Sequence, residues 1–176
     1  MTFQPPPPPP GSTPPPPPPA GPAGFDPKSI NTLDWAILGA GVLGFIFSLF
    51  GYYKASAFGY SDTEGAFGDG FFGWFAALLA LAAAAVLAVH LFRPQVSLPV
   101  PARVLALILF VIAFICQFIT LFINPTDVPD KYFSLGFGFW ISFILVIIGT
   151  VLSVVRAQQT NTALPGPLKN IPKIGS

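Results

Sequence analysis

The sequence predicts an all-α membrane protein in which four transmembrane helices form an antiparallel bundle, preceded by a disordered proline-rich N-terminal tail. Three observations lead to this fold class. The 176-residue chain is 53% hydrophobic and only 9% charged, whereas about a quarter of an ordinary soluble domain is charged. It contains four apolar runs of membrane-spanning length, and most of its 22 prolines precede all four.

Residues 1–30 form the predicted tail, with two six-proline runs joined by Gly11-Ser12-Thr13. Proline fixes φ and lacks an N–H, so each run favours a stiff polyproline II rod of about 19 Å. Such rods are preformed ligands for aromatic-lined grooves, and two linked copies bind with avidity. The alternative is a passive spacer. The candidate partner-binding residues are Pro5, Pro6, Pro7, Pro8, Pro9, Pro10, Pro14, Pro15, Pro16, Pro17, Pro18 and Pro19.

The transmembrane domain is predicted over residues 31–156, followed by a C-terminal tail over 157–176. About 20 helical residues cross the ~30 Å hydrocarbon layer. None of the four runs contains Asp, Glu, Lys or Arg. We therefore predict four spans, at residues 35–53, 71–92, 104–123 and 135–155.

Residues that flank the runs predict where the helices begin and end. Thr32 or Asp34 is expected to cap the first helix and Asp69 the second. Pro101 is expected to open the third helix, which Asn124-Pro125 should stop.

The positions of the basic residues predict the orientation. Cytoplasmic loops are enriched in Lys and Arg. If the N-terminus is cytoplasmic, only Lys54 and Lys131 lie outside. The predicted cytoplasmic set is Lys28, Arg93, Arg103, Arg156, Lys169 and Lys173. The expected location is thus the plasma membrane, with the lipid bilayer as solvent and both termini in the cytoplasm.

A glycine pattern in the first run, Gly39-x-Gly41-x-x-Gly44, has the spacing of a dinucleotide-binding loop. That loop requires a preceding strand and a parallel sheet. The residues after Gly44, FIFSLFGYY, are instead apolar on all sides. We interpret the glycines as part of a membrane helix and predict no nucleotide or other cofactor.

Small residues recur along one face of each predicted helix, as helix packing in lipid requires. Chance periodicity in Ala- and Gly-rich helices is the alternative. Gln117 is the most polar residue within a run and is expected to hydrogen-bond to a neighbouring helix. The predicted packing residues are Ala36, Ala40, Gly44, Ser48, Gln117, Gly149 and Ser153.

The runs contain no ionisable group that would mark a proton or substrate pathway, which argues against secondary transport. His90 is the only histidine and Cys116 the only cysteine; solvation and packing are their expected roles. The carboxylates Asp62, Glu64 and Asp69 lack the spacing of an EF-hand. We therefore expect neither a metal site nor catalytic residues, and net charge of +1 predicts no nucleic-acid binding.

The segment LFINPTDVPDKYFSLGFGFWISFILV and the glycine-rich loop ending at GDG resemble a family of actinobacterial four-helix membrane proteins. That family includes the mycobacterial 34 kDa antigenic protein homologues. The similarity runs from about residue 33 to residue 156. It implies a plasma-membrane protein of the cell envelope and carries over no catalytic residue.

The sequence thus favours a non-enzymatic membrane anchor or scaffold that recruits protein partners through its tail. The first alternative is an accessory subunit whose helices contact a larger membrane complex. A small transporter or channel is the second, weakened by the lack of charge within the spans.

Overall fold

A computed structural model describes residues 30–126 and 128–160. Both proline runs lie outside the described residues, as does most of the predicted C-terminal tail. The described chain is mostly helical. Its helices are α1 (Thr32–Ser48), α2 (Phe71–Phe92), α3 (Ala102–Thr120) and α4 (Phe137–Gln159), and its strands are β1 (Tyr53–Ala57), β2 (Tyr60–Glu64) and β3 (Phe133–Leu135).

Three of the helices, α2, α3 and α4, are long and apolar enough to cross a membrane. Helix α1 has 17 residues, which corresponds to a length of about 25 Å. It ends before the predicted boundary at residue 53 because the chain turns at Gly51, where φ is +49°, and then enters β1. Helix α3 likewise ends at Thr120, before the predicted stop at Asn124-Pro125.

Each helix packs against two others: α1 and α3 both contact α2 and α4. The start of α1 meets the end of α2, where the rings of Trp35 and Phe92 are 6.1 Å apart. The start of α1 also meets the end of α4 through Asp34 and Arg156. We name this the Asp34 end of the molecule, and the opposite end the sheet end.

The main core lies among all four helices and combines alanines of α2 with larger side chains of α1, α3 and α4. Glycine permits the closest approaches. A Cβ on Gly41 would lie 2.6 Å from the carbonyl oxygen of Ala80, and one on Gly149 would collide with the ring of Phe110. These contacts explain why small residues line the packed faces.

The predicted packing residues fall mostly on these faces. Ala40, Gly44 and Ser48 are buried on α1, and the buried residues of the partner helices include Gln117, Gly149 and Ser153. Ala36 is exposed and lies outside the face to which the sequence assigned it. Gly41, left out of the predicted stripe, is buried against α2.

Two predicted helix caps are wrong. The N-cap of α1 is Asn31, whose side chain accepts a hydrogen bond from the Leu33 N–H at 2.8 Å, and Asp34 is drawn into ion pairs instead. The N-cap of α2 is Gly70, which has no side chain with which to cap the helix. Its φ of +75° is a conformation that favours glycine, and Asp69 lies one residue before the cap. Pro101 is the residue that precedes α3, as predicted.

The sheet was not predicted, so the described chain is not all-α. Strands β1 and β2 form an antiparallel hairpin, and β3 pairs antiparallel with the other edge of β1. Phe58 and Gly59 make the two-residue turn with φ of +50° and +86°, as a type I′ turn requires. The sheet connects the end of α1 to the start of α4.

Candidate functional site

Three charged side chains converge at the Asp34 end, each in the terminal turn of a different helix. Asp34 lies in the first turn of α1, Arg103 at the start of α3 and Arg156 in the last turn of α4. Asp34 is only 1% exposed, whereas the side chains of Arg103 and Arg156 are 22% and 16% exposed. We refer to these three residues as the charge cluster.

Arg156 forms a bidentate ion pair with the carboxylate of Asp34. Its Nε donates to Oδ1 at 3.0 Å and its Nη2 donates to Oδ2 at 3.0 Å. Arg103 adds a longer contact, from Nη2 to Oδ2 at 3.4 Å. Bidentate pairs of this kind fix orientation as well as adding energy, so the start of α1 is held in a defined position against α4.

Helix dipoles explain the arrangement. An acid is favourable in the first turn of a helix and a base in the last turn, so Asp34 and Arg156 suit their own helices. Arg103 is at the positive end of α3, where its charge is unfavourable. The shared carboxylate of Asp34 compensates for that position. Since two guanidinium groups face one carboxylate, the cluster carries one excess positive charge.

The space beside the cluster is too small for a substrate. A cavity of about 10 Å³ lies among Ile37, Leu87 and Ser153 next to the two arginines. Its volume is that of one water molecule, whereas small-molecule pockets measure roughly 300–1,000 Å³. The cluster therefore has the geometry of a structural clamp between helices.

The four apolar runs contain no Asp, Glu, Lys or Arg. Helices α1, α3 and α4 extend past the runs, however, and include Asp34, Arg103 and Arg156. Each residue immediately adjoins a predicted span. The sequence feature that could have identified the cluster is one acidic and two basic residues at the ends of predicted spans, which an antiparallel bundle places at the same end of the molecule.

A second polar contact lies nearer the sheet end, between α3 and α4. Gln117 Nε2 donates to Ser142 Oγ at 2.8 Å, and both residues are almost fully buried. The predicted hydrogen bond from Gln117 to a neighbouring helix is confirmed. The three glycines of the apparent nucleotide motif all lie within α1, so they do not form a phosphate-binding loop.

The acidic loop at the sheet end brings Glu64 and Asp69 together. The Asp69 carboxylate, more than any other cause, raises the pKa of Glu64 above its usual value. Asp62 contributes a smaller effect of the same sign. Within the described residues, no three His, Cys, Asp or Glu side chains are grouped so as to hold a metal ion.

Cys116 is buried in α3, and His90 is half-buried near the end of α2. They lie on different helices and far apart along the bundle, Cys116 towards the sheet end and His90 at the Asp34 end. The described structure therefore does not bring them together as a nucleophile and base.

Comparison with known proteins adds no assignment. No protein-family model, curated protein or solved structure shows significant similarity to the chain. The resemblance to the actinobacterial four-helix family stays a prediction. The twelve candidate prolines lie outside the described residues, and so the partner-binding prediction is not tested by the structure.

Proposed function

We propose that the protein is a non-enzymatic membrane anchor that presents its proline-rich N-terminal segment to cytoplasmic partners. The observation that carries the proposal is the bidentate ion pair between Asp34 and Arg156. Asp34 lies three residues after the cap of α1, at the point where the chain enters the helices. The ion pair holds the start of α1, the helix that directly follows this segment in the sequence, in a fixed position against α4.

Packing supports the anchor over a carrier. All four helices contribute to one core, in which Gly41 lies against the backbone of α2 and Gly149 against the ring of Phe110. Alternating-access carriers need a binding site near the middle of the membrane. In the described residues the side-chain hydrogen bond between helices that lies nearest that level runs from Gln117 Nε2 to Ser142 Oγ.

The proposed arrangement in the membrane has all four helices crossing as an antiparallel bundle in the plasma membrane. The Asp34 end faces the cytoplasm and the sheet faces outward. The distribution of Lys and Arg supports this orientation, since Lys54 and Lys131 alone would lie on the outer side. Helix α1 is short, and the bilayer accommodates such mismatch by local thinning.

Crosslinked pull-down from native membranes tests the proposal. We compare the full-length protein with a variant that lacks residues 4–24 and a control that lacks residues 161–176. The proposal predicts that a specific set of soluble proteins is lost with residues 4–24 and retained in the control. Replacing only Pro14–Pro19 by alanine should weaken capture more than twofold, because two linked runs bind with avidity.

The accessory-subunit alternative predicts the opposite result. If the same membrane proteins are captured with and without residues 4–24, and no soluble protein depends on that segment, recruitment through the tail is wrong. The helices would then be the binding surface. Equal insertion of the three variants into membranes, checked by carbonate extraction, is required for the comparison.

A further inference from the structure

A cavity of about 160 Å³ opens at the sheet end, between the start of α2 and the end of α3. Its walls are mainly Phe71, Phe72, Ile123 and Pro125, with Tyr53 and Thr120 as the polar members. An engineered apolar cavity of about 150 Å³ binds benzene. The cavity therefore has room for an apolar group of roughly six to eight carbon atoms.

The hydroxyl of Tyr53 is available to a ligand in this cavity. Tyr53 is 2% exposed, and within residues 30–126 and 128–160 its hydroxyl has no hydrogen-bond partner. Burial, followed by the nearby Asp69 carboxylate, raises the pKa of Tyr53 to about 12. The phenol is thus protonated at neutral pH and can donate. In apolar pockets a few polar groups fix the orientation of the ligand, so a ligand here should carry an acceptor next to its apolar part.

The other polar groups restrict the ligand further. The Thr120 hydroxyl already donates to the Cys116 carbonyl at 3.0 Å, which leaves Tyr53 as the free side-chain donor among the described lining residues. Glu64 and Asp69 lie beside Tyr53 on its other side. These carboxylates repel an anionic group. The acceptor should therefore be neutral.

The location identifies the source of such a ligand. Phe71 and Ile123 are 52% and 43% exposed, so the cavity is reached from the outer surface of the helices. The ring of Phe71 packs against Trp74 at 5.0 Å. Tryptophan is enriched where the hydrocarbon layer meets the headgroups. The ester carbonyls of membrane lipids lie at this depth, and each is a neutral acceptor attached to an apolar chain.

We propose that this cavity binds the upper part of one lipid acyl chain, whose ester carbonyl accepts a hydrogen bond from the Tyr53 hydroxyl. The apolar walls hold the first methylenes of the chain. The site lies at the opposite end of the molecule from the start of α1 and does not depend on tail recruitment.

Native mass spectrometry of the full-length protein tests the site. The delipidated protein is incubated with equal amounts of diacyl phosphatidylcholine and its dialkyl-ether analogue, which has the same headgroup and chain length but no carbonyl. The wild type should retain the ester lipid roughly two- to tenfold over the ether lipid, the range that one hydrogen bond provides. Tyr53→Phe should equalise the two, and Tyr60→Phe, at an exposed tyrosine in the same hairpin, should keep the preference.

Cavity filling provides a second measurement. Ile123→Trp should reduce retention of both lipids several-fold, since it occupies the space of the chain. Equal retention of ester and ether lipid by the wild type would overturn the proposal, as would a preference that persists in Tyr53→Phe. Binding of soluble methyl hexanoate without binding of phosphatidylcholine would also overturn it, because the occupant would then be a free small molecule.

Discussion

Asp34 shows how one carboxylate can fix the ends of three helices against one another. Removing a charge from water costs several kcal/mol unless it is paired. Asp34 is nearly inaccessible, but it receives three donated hydrogen bonds from two arginines. The arginine side chains remain partly exposed, as long side chains do when they reach toward an interface. In each ion pair, therefore, only the Asp34 carboxylate is almost fully removed from water.

The sequence contained the members of the cluster but not their contact. The predicted spans began or ended next to Asp34, Arg103 and Arg156 because hydropathy defines a span by where charge first occurs. Antiparallel packing brings these boundaries together, yet it does not specify which side chains face each other. Asp34 was also a plausible N-cap by residue type. Asn31, three residues earlier, took that role and left Asp34 free for the arginines.

Asp34→Asn is expected to destabilise the protein by about 2 to 3 kcal/mol. The change leaves two facing guanidiniums without their anion, and the cost falls below that of a fully buried pair because both are partly exposed. Unfolding by SDS titration in mixed micelles measures the difference. Asp62→Asn, at an exposed site in β2, is the control and should change stability by less than about 0.5 kcal/mol.

A double-mutant cycle with Arg156→Gln separates the ion pair from other effects. If Asp34 and Arg156 stabilise each other, the double variant should lose clearly less than the sum of the single variants. Additive losses would show that the bidentate pair contributes nothing to stability, and the charge cluster would not be the clamp described above.

At the scale of elements, the helices could be predicted and the sheet could not. Four uncharged apolar runs are an unambiguous signal. The hairpin gives little alternation, because every residue of β2 is exposed. Its turn has phenylalanine where a type I′ turn usually has asparagine or glycine. Backbone pairing between β1 and β2 holds the hairpin instead. Tyr53, the first residue of β1, is buried.

The packing face of α1 was predicted only from the four-residue spacing of small residues. The structure shows which of these small residues make close contacts. Gly41 and Gly44 both lie in the apparent nucleotide motif, but they face different helices. Gly41 is against the backbone of α2, whereas the nearest atom to a Cβ on Gly44 is the Cβ of Leu145 at 3.7 Å, an ordinary contact. A spacing of four residues cannot distinguish a close approach from a loose one.

These two glycines give a matched pair of substitutions. Gly41→Ala should destabilise the protein by about 1 to 3 kcal/mol, since the added methyl meets a carbonyl oxygen at 2.6 Å and α1 must shift away from α2. Gly44→Ala should be neutral or stabilise by up to about 1 kcal/mol through helix propensity. Thermal unfolding in detergent, followed by circular dichroism, measures both. A larger loss for Gly44→Ala would contradict the packing described for α1.

At the scale of the whole molecule, the two ends have different chemistry. The Asp34 end holds an excess positive charge within the helices. The sheet end holds Asp62, Glu64 and Asp69 near one another. The sequence predicts this asymmetry, because the asymmetry depends only on which charged residues lie in which loop between the spans. The sequence did not predict the three-stranded sheet at the sheet end, nor the cavity between the start of α2 and the end of α3.

Cysteine labelling tests this asymmetry as a topology. In a Cys116→Ser background, Ser61→Cys places a thiol on the exposed hairpin and Gln95→Cys places one on the exposed loop between α2 and α3. We expect a membrane-impermeant maleimide to label Ser61→Cys on intact cells and Gln95→Cys only after lysis. The reason is that the loop with Gln95 lies with Arg93 on the predicted cytoplasmic side.

Each outcome has a distinct consequence. Labelling of Gln95→Cys alone on intact cells would reverse the orientation and place the proline-rich segment outside, where it could not recruit cytoplasmic proteins. Labelling of both positions on intact cells would mean that α2 does not cross the membrane. The expected pattern requires α2 to span, and it places the charge cluster at the inner boundary, where its excess positive charge faces the anionic lipids of the cytoplasmic leaflet.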